Sequence, residues 1–293
     1  MKRKGSITYR SLLDILYKAF VFTMVLLVLA TFLWILGTFL FRGLHHINIE
    51  LFYRSLTDSI SAQLAQESGD KILGGIANGL YGSAFIILIA LLIAVPLGIG
   101  LGLYMFGIER KNILVSGIYY SCTILRGIPS IITGIIVYLW IVVPMGSFSA
   151  LAGGVALAIM MFPEIAYSTF ISFRSIPESL KESAFSLTGN KQTVIFTIFF
   201  PLISRKIWAN VLFATSRALG ETAPLLFTAL GASYINWNFL EPTSALPLLV
   251  WNFFEKPGLS SLLWSASFFL LLFCLILSFL AKKIQNPTTN YKS

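Results

Sequence analysis

Arg217 and Glu221 stand four residues apart in a stretch, Lys206 to Gly231, that is otherwise mostly apolar. On one continuous helix that spacing puts both side chains on the same face, where they can pair. A guanidinium in such surroundings has two uses. It can lock helices together through an ion pair. It can also take an oxyanion, because its planar fork meets two oxygens at once and keeps its charge. In the second case Glu221 would hold Arg217 between visits, so that the anion is not bound too tightly for release. Gly220 and Pro224 bracket Glu221 and can loosen the helix there, turning backbone groups toward a cavity. Two more charges lie in apolar surroundings, Arg126 in Arg126-Gly127-Ile128-Pro129 and Glu164 directly after Pro163. A carboxylate at membrane depth costs a few kcal/mol unless it is paired, neutralised or wet.

The chain has no GxxxxGK[ST], HExxH or GxSxG pattern, and its His, Cys, Asp and Glu residues form no cluster with metal spacing. His45 and His46 are adjacent without a third ligand nearby, which reads as a pair of solvated loop histidines. Cys122 and Cys274 sit in apolar segments as small packed hydrophobes. No catalytic residue, metal or cofactor is expected. Active work by this chain would draw its energy from a partner.

The elements that must position these charges are membrane helices. Of the 293 residues 57% are hydrophobic and only 11% charged, less than half the charge of an average soluble domain. The fold class expected is an all-α polytopic membrane protein with six transmembrane helices. The first span, Ala19–Phe41, is too long for a signal-peptide core and is read as retained. A mixed external loop at 42–78, with Asp58, Glu67 and Asp70, allows one short amphipathic helix. The second span, 79–107, is rich in glycine and alanine, which permit close helix packing, and Pro96 should bend it. Glu109-Arg110-Lys111 makes a basic internal turn. The third span, 113–143, is broken at Arg126–Pro129; the fourth is 150–172; the fifth is 206–231; the sixth is 259–281. Between the last two, Pro242, Pro247 and Pro257 punctuate an apolar piece, Ala245–Phe254, too short to span and read as surface-lying or re-entrant.

The charges test this topology. Fifteen lysines and arginines fall in segments read as internal and four in segments read as external (Arg42, Arg54, Lys71, Lys256), leaving Arg126 and Arg217. The bias places both termini in the cytoplasm and explains the net charge of +9 without nucleic acid. The organisation expected is 1–75 for the N-terminus, first span and external loop, 76–285 for a five-span core, and 286–293 for a cytoplasmic tail.

The basic segment before the fifth span reads as a helix–turn–helix. Pro177 and Glu178 start a helix with Leu180, Ala184 and Leu187 on one face. Thr188-Gly189-Asn190-Lys191 is the turn, and a second run, Gln192–Phe200, ends at Pro201. At this point the sequence resembles the permeases of binding-protein-dependent ABC importers, whose cytoplasmic motif has the form EAA, three residues, G, nine residues, I-x-L-P. Glu182-Ser183-Ala184 occupy the first positions, Thr188 the glycine position with Gly189 one place late, and Ile198, Phe200 and Pro201 the end. Ser216–Leu225 (SRALGETAPL) is a sharper match, similar to the phosphate importers of that family in their PstA form rather than the paralogous PstC form. Leu125–Thr133 and Ser244–Val250 share the likeness, which extends from about the second span to the C-terminus.

The resemblance implies an ABC importer permease fold with a cytoplasmic coupling helix at 178–201 in a bacterial plasma (inner) membrane. It implies a permease that is not itself an enzyme, moving inorganic phosphate by alternating access. The implied partners are a second permease (PstC-like), an ATPase dimer that binds the ATP-Mg (PstB-like) and an external phosphate-binding protein (PstS-like). The coupling contacts would be Glu182, Ser183, Ala184, Thr188, Gly189 and Pro201, and the substrate pathway Arg217, Glu221, Arg126 and Glu164. Permeation of another oxyanion (molybdate or sulfate) and a non-transporting scaffold or sensor are the alternatives. This chain departs from the family pattern at Tyr167, where the family has another arginine, and at Arg126 and Glu164, where it has small or apolar residues. Either Arg126 supplies the displaced charge with Glu164 as its partner, or it lies near the cytoplasmic end and snorkels to water.

Overall fold

The computed structural model describes residues 4–56, 64, 67–68, 74–107, 113–188, 190–256 and 258–285. Asp58, Asp70, Lys71, the Glu109–Lys111 turn, Gly189, Pro257 and the 286–293 tail lie outside the described residues. Among those described there are helices, loops and one isolated bridge, Leu230 to Thr243, with no strand. The helices are α1 (Lys4–His45), α2 (Ala77–Gly107), α3 (Ile113–Leu125), α4 (Ser130–Met145), α5 (Ala150–Arg174), α6 (Glu178–Thr188), α7 (Lys191–Leu219), α8 (Ala223–Thr228), α9 (Leu246–Glu255) and α10 (Ser260–Gln285). Five of them, α1, α2, α5, α7 and α10, are long and apolar enough to cross a membrane, and α3 with α4 makes a sixth bent by 101°.

The bend follows from the residues that were expected to break the span. Gly127 and Ile128 donate three residues back, to Ile124 and Leu125 carbonyls, which tightens the last turn of α3. Pro129 then has no N–H to continue with. Arg126 is thereby left at the corner between two half-helices.

The seam between α2 and α5 is the centre of the bundle. A Cβ on Gly98 would meet Ile165 Cβ at 2.8 Å, and one on Gly102 would meet Thr169 Cβ at 2.6 Å. Where helices meet in lipid, packing and not the hydrophobic effect holds them, so missing side chains permit the contact. Gly134 does the same for α4, with Pro224 Cα of α8 only 2.7 Å from its Cβ position. Around the seam, α7, α8 and α9 contribute Val211, Ala214, Leu225 and Leu248 to one buried cluster. The remaining long helices stack outward, α10 on α7 and α9, and α1 on α10.

Three structural findings correct the sequence reading. The second cytoplasmic run does not end at Pro201. It passes through Pro201 into the fifth span as one helix, Lys191–Leu219, because a π-helical turn at Val194–Phe199 absorbs the hydrogen bond that proline cannot make. The fifth span in turn stops at Leu219, not at 231. Finally, of the face expected on α6 only Ala184 is buried, at 4% exposure, while Leu180 is 41% and Leu187 78% exposed. Lys181 takes the inward place instead, paired with Glu178 at 3.1 Å and lying over the Phe106 ring. Its long stem makes it as good a filler there as leucine.

The segment after α8 is a cap. Ala150 and Leu151, in the first turn of α5, donate to the carbonyls of Glu241 and Phe239, and the Ser149 hydroxyl accepts from Ala152 N–H. These are the donors that a helix start leaves unsatisfied. The short apolar piece expected near 245–254 is α9, packed into the bundle with Leu246, Leu248, Leu249 and Phe253 buried. The Ser83 hydroxyl accepts from its first N–H, at 2.7 Å.

Candidate functional site

Arg217 and Glu221 do not share a helix. The fifth span ends at Leu219, the Gly220 and Glu221 N–H groups fold back onto the Arg217 and Ala218 carbonyls, and a new short helix starts at Ala223. The i, i+4 geometry assumed for the pair is therefore lost at Gly220. Arg217 instead donates through Nη1 to Glu164 Oε2 at 3.4 Å, an ion pair from the last turn of α7 to the middle of α5. Its side chain is 57% exposed, against 25% for Glu164. The guanidinium is thus half-open to a ligand while one carboxylate holds it.

Arg126 does not take Glu164 as its partner. Its guanidinium lies over the Tyr167 ring, 4.4 Å from the centroid, and Tyr167 in turn places its hydroxyl 3.5 Å from that of Tyr119 on α3. The aromatic residue that replaces an expected arginine therefore carries one at arm's length, on its face.

These charges nevertheless converge. Arg126, Glu164, Arg217 and Glu221 line one narrow crevice of about 20 Å³, closed by Leu125, Ile128 and the methionines Met160 and Met161. Arg126 and Glu164 also line a wider vestibule of about 510 Å³ that runs toward the α5 and α7 ends carrying Ser175 and Lys206. Hydroxyl and amide groups are set into its walls beside Ile171 and Phe213. Ser168, Ser172 and Ser175 follow one face of α5. Opposite them, Asn210 donates to the Ser172 hydroxyl at 3.5 Å and Lys206 to the Ser175 hydroxyl at 3.1 Å. The sequence reading missed these residues. The signal was present: 168, 172 and 175 on one helix, and 206, 210 and 217 on another, both keep helical spacing.

Among the coupling residues, Glu182 and Ser183 are exposed on α6, Ala184 is buried against Phe173, Val194 and Phe199, Thr188 closes the helix, and Pro201 is exposed in α7. Gly189 is not described. Asn190 starts α7 by accepting from Gln192 N–H at 3.0 Å. His45 and His46 end α1 with their rings edge to face, and the His46 Nδ1 lies 2.8 Å from the Arg42 carbonyl.

Comparison with known proteins agrees with this architecture. Residues 94–288 match the family described as binding-protein-dependent transport system inner membrane component. The chain is 33% identical to the phosphate transport system permease protein PstA of Haemophilus influenzae, covering 84% of each. It is 32% identical to PstA of Yersinia pestis over 86% of this chain and 83% of that one. To the probable PstA of Methanocaldococcus jannaschii it is 32% identical, over 82% of this chain and 88% of that one. In structure it is similar to an inward-facing MetNI methionine ABC transporter chain, with a TM-score of 0.56 at 16% identity over 72% of this chain and 92% of that one. The broken helices around the half-exposed Arg217–Glu164 pair, the short helix between two spans and these likenesses meet in one conclusion: the chain is a multi-pass membrane protein that belongs to the family of binding-protein-dependent transport system inner membrane components.

Proposed function

We propose that the chain is the permease subunit of an ATP-driven phosphate importer and that phosphate passes the crevice between α5 and α7. The observation that carries this reading is the Arg217–Glu164 pair, half-exposed and opening on a vestibule that Arg126, Lys206, Asn210 and three serines line. The likeness to PstA proteins supports phosphate as the cargo. An arriving phosphate takes the Arg217 fork with two oxygens, as guanidinium geometry favours. Glu164 gives up the guanidinium and is free to accept from the anion instead, with Glu221 lining the same crevice. Hydrogen phosphate carries a proton to donate to such an acceptor, whereas sulfate at neutral pH carries none and meets only repulsion. When the site turns inward, Glu164 recaptures Arg217 and the anion leaves along Asn210 and Lys206.

ATP-Mg is bound and hydrolysed by a separate ATPase, which takes up the exposed residues of α6, Glu182, Ser183 and Leu187 among them. Because α7 is continuous from Lys191 to Arg217, a push on its start moves the substrate arginine as one rigid body. A second permease closes the open side of the crevice, and an external phosphate-binding protein delivers the cargo to the face carrying the α8–α9 segment. Both termini are cytoplasmic.

Labelled phosphate uptake by the reconstituted importer tests the site. Arg217→Ala is expected to lower uptake by about ten- to a hundredfold, the worth of a lost charge-assisted hydrogen bond, with the complex still assembled. Unchanged uptake removes the site and leaves the pair as a helix lock.

A further inference from the structure

A second cavity, of about 420 Å³, lies away from the substrate crevice, where the cytoplasmic ends of α2, α3 and α5 meet α6 and the start of α7. Its interior is apolar and aromatic, with Met105, Phe106, Val115, Phe170 and Phe185 among its walls, and its mouth carries Arg174, Lys181, Lys191 and Glu178. Lys181 is buried at 6% exposure and paired with Glu178 at 3.1 Å. Among the described residues no carboxylate lies within 4.0 Å of Arg174 or Lys191, and Glu178, the acid at the mouth, is taken by Lys181. Arg174 lies 5.6 Å from the centroid of the Phe170 ring, held at the boundary between the apolar interior and the charged mouth. Along α3, from the cavity outward, Ile113 and Ile124 are 84% and 68% exposed.

We propose that this cavity binds the headgroup of an anionic phospholipid of the inner leaflet, with Arg174 and Lys191 on its phosphate. A free phosphate ion would satisfy the two cations but leave the aromatic interior empty. A phospholipid fits both parts, its phosphate at the mouth and the root of its acyl chains between Phe106, Val115 and Tyr120, continuing along the exposed face of α3. Basic pockets between helix ends at the cytoplasmic face suit such headgroups, since each lysine or arginine near the surface is worth about 1 kcal/mol toward anionic lipid. The position has a consequence. One wall is the bundle (α2, α3, α5) and the other is α6 with the start of α7, so the bound lipid ties the coupling helix to the spans and sets how freely it swings.

The experiment uses the full importer complex in nanodiscs of phosphatidylcholine doped with phosphatidylglycerol, with native mass spectrometry of the phosphatidylglycerol it retains. This readout does not involve phosphate transport, so it stands or falls separately from the cargo assignment. The wild type is expected to retain phosphatidylglycerol, and R174Q/K191Q to retain roughly 30-fold less. The charge-preserving R174K/K191R, which controls for misfolding, is expected to retain it. ATPase rate should change with phosphatidylglycerol content in the wild type and in R174K/K191R but not in R174Q/K191Q. Equal retention by wild type and R174Q/K191Q overturns the site. If inorganic phosphate in pure phosphatidylcholine changes the ATPase rate of the wild type but not of R174Q/K191Q, the lipid assignment is overturned in favour of a free oxyanion at this cavity.

Discussion

Arg217 is held by a carboxylate 53 positions away in the chain rather than by the one four positions on. Free guanidinium at this depth would bind any anion and release it slowly, so the role of the acid is to compete. Glu164→Gln removes that competition and the negative charge that repels sulfate, and its amide can donate to either anion. It is expected to lower both KM and the maximal rate of phosphate uptake, and to let sulfate compete about tenfold better, the discrimination that one buried hydrogen bond confers. An uptake assay with sulfate as competitor reads both effects, and unchanged sulfate competition would remove Glu164 from the selectivity argument. Arg126 stands on Tyr167, and losing that ring leaves the guanidinium without its seat. Tyr167→Phe keeps the ring and should leave KM within about twofold, whereas Tyr167→Leu should raise KM by several-fold, a loss of about 1 kcal/mol of cation–π contact. Arg126→Gln with normal uptake and affinity would show that this arginine serves no part of the pathway.

The elements are joined more tightly at some seams than at others, and glycine marks the difference. A side chain at Gly102 has Thr169 in its way, while Gly100, two residues earlier, has nothing within 4 Å. Gly102→Val is therefore expected to destabilise the bundle by about 1–3 kcal/mol, the usual cost of overpacking, and to lower the unfolding temperature in detergent. Gly100→Val should leave it nearly unchanged. Equal effects would mean that the α2–α5 seam is not the close contact described. The π-helical turn at Val194–Phe199 belongs to the same level. It lets a proline sit inside a helix that has to stay rigid from the coupling region to Arg217.

As a whole the chain shows a broad apolar exterior. The apolar window of α1 is wholly unburied and its main packing is along α10, and Leu139 and Trp140 of α4 are 56% and 73% exposed. Such surface suits lipid and a second permease. The orientation proposed for it makes Ser186 internal and Tyr234 external. In whole cells carrying a chain free of its two native cysteines, a membrane-impermeant maleimide is expected to label Tyr234→Cys directly and Ser186→Cys only after permeabilisation. The opposite pattern reverses the topology.

What the sequence determined by itself was the class, the order of the apolar spans and the break in the third. Apolar run length, the lysine and arginine bias and the Gly–Pro breaks are local properties, readable without neighbours. They placed the break of the third span where the structure bends by 101°. The tertiary structure alone decided who pairs with whom. Gly220 ended a helix that spacing suggested was continuous, which detached Glu221 from Arg217. The approach of α5 to α7 then supplied Glu164, and the bend at Pro129 set Arg126 over Tyr167. The inward face of α6 was also settled only by packing, because a buried lysine with a paired head competes with leucine for the same place. Partners separated by dozens of residues leave no periodic trace in one chain, since their meeting depends on helix ends and crossing geometry rather than on spacing.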